Sequence, residues 1–345
     1  MNHFIQPGFF DLQDRYEQLS QGGDPLERLN KVMDWKQFLP LINRAFDKAR
    51  KSAADRKPYN RLMMFKVLVL QSLYNLSDYQ VEFQIRDRLS FMRFLELSLH
   101  EKIPDEKTLW SYREVLVTGG VIQKLFQRFN RYLERQGFQA KGGSLIDATL
   151  VEVPRQRNSR EENAPIKEGE TPESWQEQPD KLRHKDVDAR WMKKNNESYY
   201  GYKNHVNADV IYKLIRDYEV TPANTADIKM LEVLLPKGKD EKKVWADSAY
   251  YSEQMERFLK QKGIISRLIR RYESHQPLGS AQERENRRRA KIRKRVEHVF
   301  GFMENSMGGK FIRTVGLVRA KAKIGLMNLV YNFCRYEQLC RSTAS

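Results

Sequence analysis

The chain has 345 residues, 40% of them hydrophobic, which is enough for about two domains with a sizeable core. Its 62 Lys and Arg against 45 Asp and Glu give a formal net charge of +17, which favours nucleic acid over an anionic membrane as the partner. Two cysteines are too few for a disulfide framework or a thiolate metal cluster, no apolar run reaches the ~20 residues of a membrane span, and the N-terminus lacks a signal-peptide layout. The composition therefore predicts a cytoplasmic protein that binds nucleic acid, with no membrane partner.

The first 140 residues have a helical pattern. Apolar residues recur at helix spacing from Leu62 to Leu73, with other apolar residues between them, which predicts a buried helix. Asp105 is typical of a helix start, and Gly119 of the end of that helix before a second amphipathic one. We predict an all-helical N-terminal domain over residues 1–140.

From residue 141 to 345 the pattern alternates between strands and helices. Strands are predicted at 144–154, 199–210, 211–221, 242–250 and 264–269. Helices are predicted at 225–235, with Thr225 as N-cap, and at 252–263, 283–307 and 321–339. This order is typical of an α/β domain, with a mixed sheet flanked by helices.

The composition changes at two places along the chain. Residues 161–180 contain seven acidic residues, one lysine and three prolines, which predicts a mobile acidic insertion at about 155–197, because such a stretch buries too little apolar surface to order itself. Residues 260–323 contain eighteen Lys and Arg against five Asp and Glu. This concentration of positive charge predicts a surface that binds a polyanion.

Asp147 interrupts an apolar strand, SLIDATLVEVP. A central strand covered by helices on both faces is almost wholly apolar, and an ionised carboxylate there is costly unless a cation or hydrogen bonds offset it. Asp147 is therefore a candidate metal ligand. The alternatives are a solvent-facing residue at the edge of the sheet and a partner of an arginine.

Asp247 and Glu297 are two further candidates. Asp247 follows a predicted strand, at the end where open α/β sheets bind ligands, although an Asp before a helix is also an ordinary N-cap. Glu297 flanks the apolar stripe of a very basic helix, one turn after Arg293, so the two also fit an ordinary surface pair. Each position alone leaves these alternatives open.

The three acidic residues, taken together, fit a metal site for phosphodiester cleavage. Cleavage of a phosphodiester requires neutralisation of charge on the attacking and leaving oxygens, which two divalent ions about 3.5–4 Å apart provide. Magnesium prefers hard oxygen ligands and retains several waters, so a few carboxylates and the substrate phosphate suffice. Basic residues beside Glu297 would then bind the DNA backbone; they include Arg289, Arg293, Lys294 and Arg295.

Five motifs occur in the order of a known family. They are IDATLVE around Asp147, YYGYKNHVNADV, VTPANTAD, VWADSAYYS around Asp247 and KIRKRVEHVFGFM around Glu297. Together they resemble a bacterial DDE transposase of the insertion sequence 5 type, within the insertion sequence 4-like group. The segments YNLSDYQVEFQIRDRLSFMRFLELSL and IPDEKTLWSYREVL resemble the helical N-terminal domain of the same elements, so the resemblance covers nearly the whole chain.

This resemblance implies an RNase H-like catalytic domain over residues 141–345. It implies that Asp147, Asp247 and Glu297 are the catalytic, metal-binding acids, with Mg²⁺ (or Mn²⁺) as cofactor. The family cleaves the DNA at the terminal inverted repeats of the element and joins the freed 3′-hydroxyl to target DNA. It also implies a homodimer on double-stranded DNA, at the nucleoid in the bacterial cytoplasm.

The wider group has a Tyr, Arg, Glu, Lys signature around the glutamate. Arg293 and Glu297 fit it, but Ala290 and Glu304 stand at the Tyr and Lys positions. The lysine normally contacts DNA near the cut, and Lys310 is a candidate to replace it. The departure motivates one alternative, a DNA-binding protein that keeps the fold without catalysis. A stand-alone metal-dependent nuclease of the same fold is a further alternative.

Four further residues are weighed for function. Lys203 and His205 are two apart in a strand and so share a face, which suits contact with the DNA backbone or, alternatively, a surface lysine and a structurally bonded histidine. Asp209 and Asp227 could each replace Asp247 as the second ligand. The helix after Pro104 is the candidate for recognition of the repeats.

Overall fold

The computed structural model describes residues 8, 10–47, 58–139, 142–156, 158–235, 242–271 and 279–344. The chain divides into two compact units. The helical unit comprises Met1–Val121 and Tyr336–Ser345, and the sheet unit comprises Ile122–Arg335. The division falls about twenty residues before the boundary expected from the sequence.

The described part of the helical unit contains helices and no strand. The helices are α1 (Asp11–Gln21), α2 (Pro25–Val32), α3 (Leu39–Ala45), α4 (Arg61–Leu73), α5 (Asp78–Asp87), α6 (Leu89–Leu95) and α7 (Glu106–Thr118). The Asn60 side chain caps α4 by accepting from the backbone N–H groups of Leu62 and Met63. Asp105 caps α7 in the same way, accepting from Thr108. The predicted helical N-terminal region, including the buried helix α4, is confirmed.

A six-stranded mixed sheet forms the centre of the sheet unit. Its strands are β1 (Ser144–Glu152), β2 (Arg190–Lys194), β3 (Glu197–Asp209), β4 (Ile215–Pro222), β5 (Lys243–Trp245) and β6 (Ile265–Ser266). β1 runs antiparallel to β3, which pairs antiparallel with β2 and β4, whereas β5 runs parallel to β1 and to β6. The mixed α/β class is confirmed. Hairpin strand β2 lies in the region predicted to be an unstructured insertion.

The sheet unit also contains helices. They are α8 (Val121–Arg135), α9 (Arg160–Glu168), α10 (Glu173–Gln176), α11 (Pro179–Arg183), α12 (Ile228–Leu234), α13 (Glu253–Gln261), α14 (Ser280–Arg293), α15 (Glu297–Gly301) and α16 (Leu317–Ala344), whose end belongs to the helical unit. Almost all of α8, which was expected in the N-terminal domain, belongs to the sheet unit because its apolar face packs there. The Phe126 ring meets Tyr218 edge-on, and Phe129 meets Phe333.

The predicted basic helix is not one continuous α-helix. A 3₁₀ turn at Lys294–Val296 separates α14 from α15, and a π-helical turn at Phe302–Ser306 follows α15. The predicted cap at Thr225 is wrong: α12 begins three residues later, and Asp227 precedes it without a side-chain cap. Among the described helices, none is long and apolar enough to cross a membrane.

The acidic segment, predicted to be a loop, instead contains α9, α10 and α11. Trp175 is fully buried within it. The Glu162 carboxylate accepts hydrogen bonds from the Trp175 indole (2.7 Å) and from the Lys181 ammonium (2.6 Å), and Glu162 forms a capping box with Ser159. The average composition of the segment did not predict these helices, because it does not report single contacts. One buried aromatic ring and one paired carboxylate are enough to organise short helices around them.

Candidate active site

Asp147 lies on β1, and Asp247 follows the end of the neighbouring parallel strand β5. Ser144 pairs with Val244 and Leu145 with Trp245, so the same register carried two residues further puts Asp147 level with Asp247. β5 has ended by then, and Asp247 accepts a hydrogen bond from the N–H of Ala249 (2.9 Å) at the start of a 3₁₀ turn. One oxygen of Asp247 therefore acts as an N-cap, which was the alternative to metal binding considered from the sequence. The other, Oδ2, makes no hydrogen bond within the described part of the chain.

Arg293 links Asp147 to Glu297. Its Nη1 atom donates to Oδ2 of Asp147 at 2.6 Å, and its Nη2 atom donates to Oε1 of Glu297 at 2.7 Å. The Asp147 side chain is 13% exposed, whereas the Glu297 side chain is 55% exposed. One guanidinium thus brings together two of the three expected acids, one from β1 and one from α15.

Asp147 is held in an unfavourable electrostatic environment. Burial raises the pKa of its carboxyl group from the ordinary 3.8 to about 6. The positive charge of Arg293 and a hydrogen bond from the N–H of Ala148 oppose this rise, while the negative charges of Asp247 and Asp227 add to it. A carboxylate that burial and like charges disfavour is one that a bound cation stabilises.

Asp227 is a fourth acid near this group. Its Oδ1 atom lies 2.7 Å from the Lys203 ammonium, which also donates to the carbonyl of Thr225 at 2.8 Å. Sequence reasoning considered Asp227 only as a substitute for Asp247. In the structure its charge acts on Asp147 together with that of Asp247.

The carboxylate oxygens of Asp147 and Asp247 suit a hard divalent cation, but the acidic residues that the structure describes do not complete a coordination shell. No three His, Cys, Asp or Glu side chains among the described residues are placed to hold one metal ion together. Asp147 and Asp247 supply two carboxylates, and Mg²⁺ accepts such a small set when water and a phosphate oxygen complete its shell. The residues present therefore fit a cation bound by this pair.

Two segments of the chain match known protein families. Residues 139–333 match the family described as Transposase DDE domain, and residues 14–115 match the Transposase domain (DUF772). The chain belongs to the DDE transposase family. This finding confirms the predicted DDE transposase family, and the mixed sheet with its helices agrees with the predicted fold class. The insertion sequence 5 type stays a prediction.

A solved structure is also similar to this transposase. It is the cryo-EM structure of the piggyBac transposase synaptic complex with hairpin DNA. The two chains are 13% identical, with a TM-score of 0.46, and the match covers 93% of this transposase and 76% of that chain.

The transposase buries two side chains that were expected to contact DNA. His205 has no exposed surface, and its Nε2 atom hydrogen-bonds with the Thr221 hydroxyl at 2.8 Å. Burial lowers the pKa of His205 to about 4, so the ring is neutral at pH 7. The expected DNA contact is wrong for His205. Lys203 is also buried, and its charge is already paired with Asp227.

Asp209 has a structural role in the transposase. It is fully buried, its carboxylate accepts from the backbone N–H groups of Ile211, Tyr212 and Leu214, and it pairs with Arg216 at 3.1 Å. Burial raises the pKa of its carboxyl group against these favourable contacts. Asp209 therefore closes the turn between β3 and β4 and has no remaining capacity as a metal ligand.

The expected basic surface is only partly available for DNA. Arg289 is largely buried, where it donates to the carbonyl of Leu268 and pairs with Glu285. Lys294 and Arg295 are exposed. Other exposed basic residues on or next to α14 are Arg284, Arg287, Arg288 and Lys291.

Lys310 lies at the end of β1. Its carbonyl accepts from the N–H of Glu152, the last residue of that strand, and its side chain is 70% exposed. The Lys310 ammonium is 3.7 Å from Glu304, whose carboxylate also accepts from the Thr149 hydroxyl at 2.9 Å. Lys310 therefore lies beside the residue at the expected lysine position, and Thr149 follows Asp147 by two residues on the same strand.

Proposed function

We propose that this protein is an active DNA transposase of an insertion sequence of the insertion sequence 5 type. It binds the terminal inverted repeats, cleaves the phosphodiester bonds at the element ends, and joins the 3′-hydroxyl ends to target DNA. The parallel register that brings Asp147 level with Asp247, with Arg293 joining Asp147 to Glu297, is the observation that carries the proposal.

In this proposal Asp147, Asp247 and Glu297 hold Mg²⁺, which Mn²⁺ can replace. The bound ions would neutralise the charge that develops on the phosphate and on the attacking and leaving oxygens. The Asp147 carboxylate comes from within β1 and the Asp247 carboxylate from just beyond the end of the neighbouring β5, so the backbone of the sheet fixes their separation. Glu297 lies on a helix and is more exposed, so its carboxylate can turn inward when substrate arrives.

Arg293 is paired with two carboxylates that the proposed reaction requires as metal ligands. In the described conformation its guanidinium neutralises Asp147 and Glu297. A DNA phosphate is an equally suitable bidentate partner for a guanidinium. We propose that Arg293 moves to the phosphate backbone when DNA binds, which releases both carboxylates for the cation.

The exposed basic residues provide the rest of the DNA contact. Lys294 and Arg295 directly follow Arg293 in the chain, and Lys310 lies at the end of β1. We propose that all three neutralise DNA phosphates, with release of counterions. Helix α7 in the helical unit is the proposed reader of the repeat sequence. We also propose that the protein acts as a homodimer in the bacterial cytoplasm, because two element ends must be joined to one target.

The test compares Asp147→Ala with the control variant Asp180→Asn on labelled DNA that carries a terminal repeat. Asp180 is exposed on α11 and pairs only with Arg183 among the described residues. Asp147→Ala should bind the repeat like the wild type but neither cleave it nor join it to target DNA in Mg²⁺. Asp180→Asn should retain all three activities. Cleavage by Asp147→Ala would show that the site assignment is wrong.

A DNA-binding protein without catalysis is the second candidate. Glu304 favours it, because a carboxylate stands where the wider group has a DNA-binding lysine. Transfer of a labelled 3′ end to target DNA by the wild-type protein would eliminate this candidate. The same product would eliminate a stand-alone nuclease, which cleaves without joining.

A further inference from the structure

Tyr250 lies between the elements that carry the acids. It ends the 3₁₀ turn that begins directly after Asp247, and its side chain is fully buried. The ring packs in an apolar cluster with Ile146 and Ala246, the chain neighbours of Asp147 and Asp247. The described structure therefore encloses Tyr250 against the backbone that positions the acid pair.

The hydroxyl group of Tyr250 has no hydrogen-bond partner among the residues that the structure describes. Two other buried tyrosines of the sheet unit have such a partner. Tyr202 donates to the Asp186 carboxylate at 2.7 Å, and Tyr331 donates to the carbonyl of Lys213 at 2.7 Å. Because an unpaired buried hydroxyl destabilises the fold, a phenylalanine would suit this position better if packing were its only role.

The charged groups that act on the hydroxyl belong to the acid site. The pKa of Tyr250 is raised first by burial and then, in decreasing order, by the negative charges of Asp147, Asp227 and Asp247, while Arg293 lowers it. The hydroxyl is therefore protonated at every working pH. It can donate a hydrogen bond, and the charge with the largest effect on it belongs to Asp147.

We propose that Tyr250 is a positioning residue of the acid site, whose hydroxyl donates a hydrogen bond to the Asp147 carboxylate when a divalent cation is bound, directly or through one enclosed water. This inference rests on the proposed function. Carboxylates that bind a metal are oriented by hydrogen bonds to their remaining lone pairs. Arg293 supplies that contact in the described conformation, and Tyr250 would supply it once Arg293 has moved to DNA.

The experiment compares Tyr250→Phe with Tyr202→Phe in the full-length protein. Both variants keep the ring and lose one buried hydroxyl, but Tyr202 is bonded to Asp186 and lies outside the acid site. Three quantities are measured for each variant: the Tm in EDTA, the affinity for Mn²⁺ by isothermal titration calorimetry with repeat DNA bound, and kcat and KM for cleavage.

Tyr250→Phe should leave the Tm unchanged or raise it. It should also weaken Mn²⁺ binding by about 10–100-fold, as loss of a hydrogen bond to a metal ligand does, and lower kcat with little change in KM for DNA. Tyr202→Phe should show the reverse pattern, with a lower Tm and wild-type Mn²⁺ affinity.

Two outcomes would overturn the inference, and they are distinguishable from failure of the proposed function. Wild-type Mn²⁺ affinity in Tyr250→Phe, or a Tm lowered as much as in Tyr202→Phe, would show that the hydroxyl is only structural. If Asp147→Asn at the same time loses Mn²⁺ binding, the proposed function stands and only the role of Tyr250 is wrong. If the wild type itself binds no Mn²⁺, the proposed function fails and the inference fails with it.

Discussion

Replacement of Asp147 by asparagine should stabilise the protein at neutral pH while it abolishes cleavage. Asp147→Asn keeps the shape of the side chain but removes the charge that burial disfavours. Because the pKa of Asp147 is raised from 3.8 to about 6, the folded wild type binds a proton more tightly than the unfolded chain does. The contribution of this group to stability is favourable below pH ~4 and is lost as the pH rises through ~6.

The size of this pH effect on stability follows from the pKa shift of Asp147. About two pKa units correspond to about 3 kcal/mol between the protonated and ionised forms. The side chain is only 13% exposed, so solvent screening reduces this value little. The free energy of unfolding of the wild type should therefore fall by about 3 kcal/mol, from this group alone, between pH 4 and pH 7.5. Asp147→Asn should lack this fall.

The assay is urea unfolding of both proteins at pH 4 and pH 7.5, in EDTA, followed by circular dichroism. The difference between mutant and wild type at pH 7.5 should exceed the difference at pH 4 by about 3 kcal/mol. Other titrating groups cancel because they are common to both proteins. Equal differences at the two pH values would refute the assignment of Asp147 as a buried and electrostatically disfavoured carboxylate.

Three further changes test other parts of the structure. Lys310→Ala should weaken binding to DNA of every sequence and reduce the slope of log K for DNA binding against log salt concentration by about 1, as measured by fluorescence anisotropy. The control Lys321→Ala removes a lysine that is paired with Glu219 on β4, and it should leave this slope unchanged. Glu304→Lys should increase the same slope by about 1 because it adds a cation at the end of β1, and an unchanged slope would place this residue away from DNA. Trp175→Ala should lower the free energy of unfolding by about 3–5 kcal/mol and increase proteolysis within 158–183, and protease resistance equal to that of the wild type would contradict the packing of α9 to α11 around this ring.

Local patterns were sufficient to predict much of this protein. The order of β1, β3, β4, α12, β5 and α13 follows from hydrophobic periodicity and from caps such as Ser252, because these signals depend on residues close together in the chain. The elements between β1 and β3 were not predicted. Asp147 and Asp247 could be selected because each interrupts or ends an apolar strand. The fold class followed from that order, since alternating strands and helices have few ways to bury their apolar faces.

Contacts between distant residues could not be predicted in this way. The Arg293–Asp147 pair joins residues 146 positions apart, and the negative charges that raise the pKa of Tyr250 come from acids in three separate segments of the chain. Alternation along β3 correctly places Lys203 and His205 on one face, but it does not say that other elements cover that face and bury both side chains. Periodicity reports which side chains share a face, whereas burial, charge pairing and pKa depend on what packs against that face, and this is set only when the whole chain has folded.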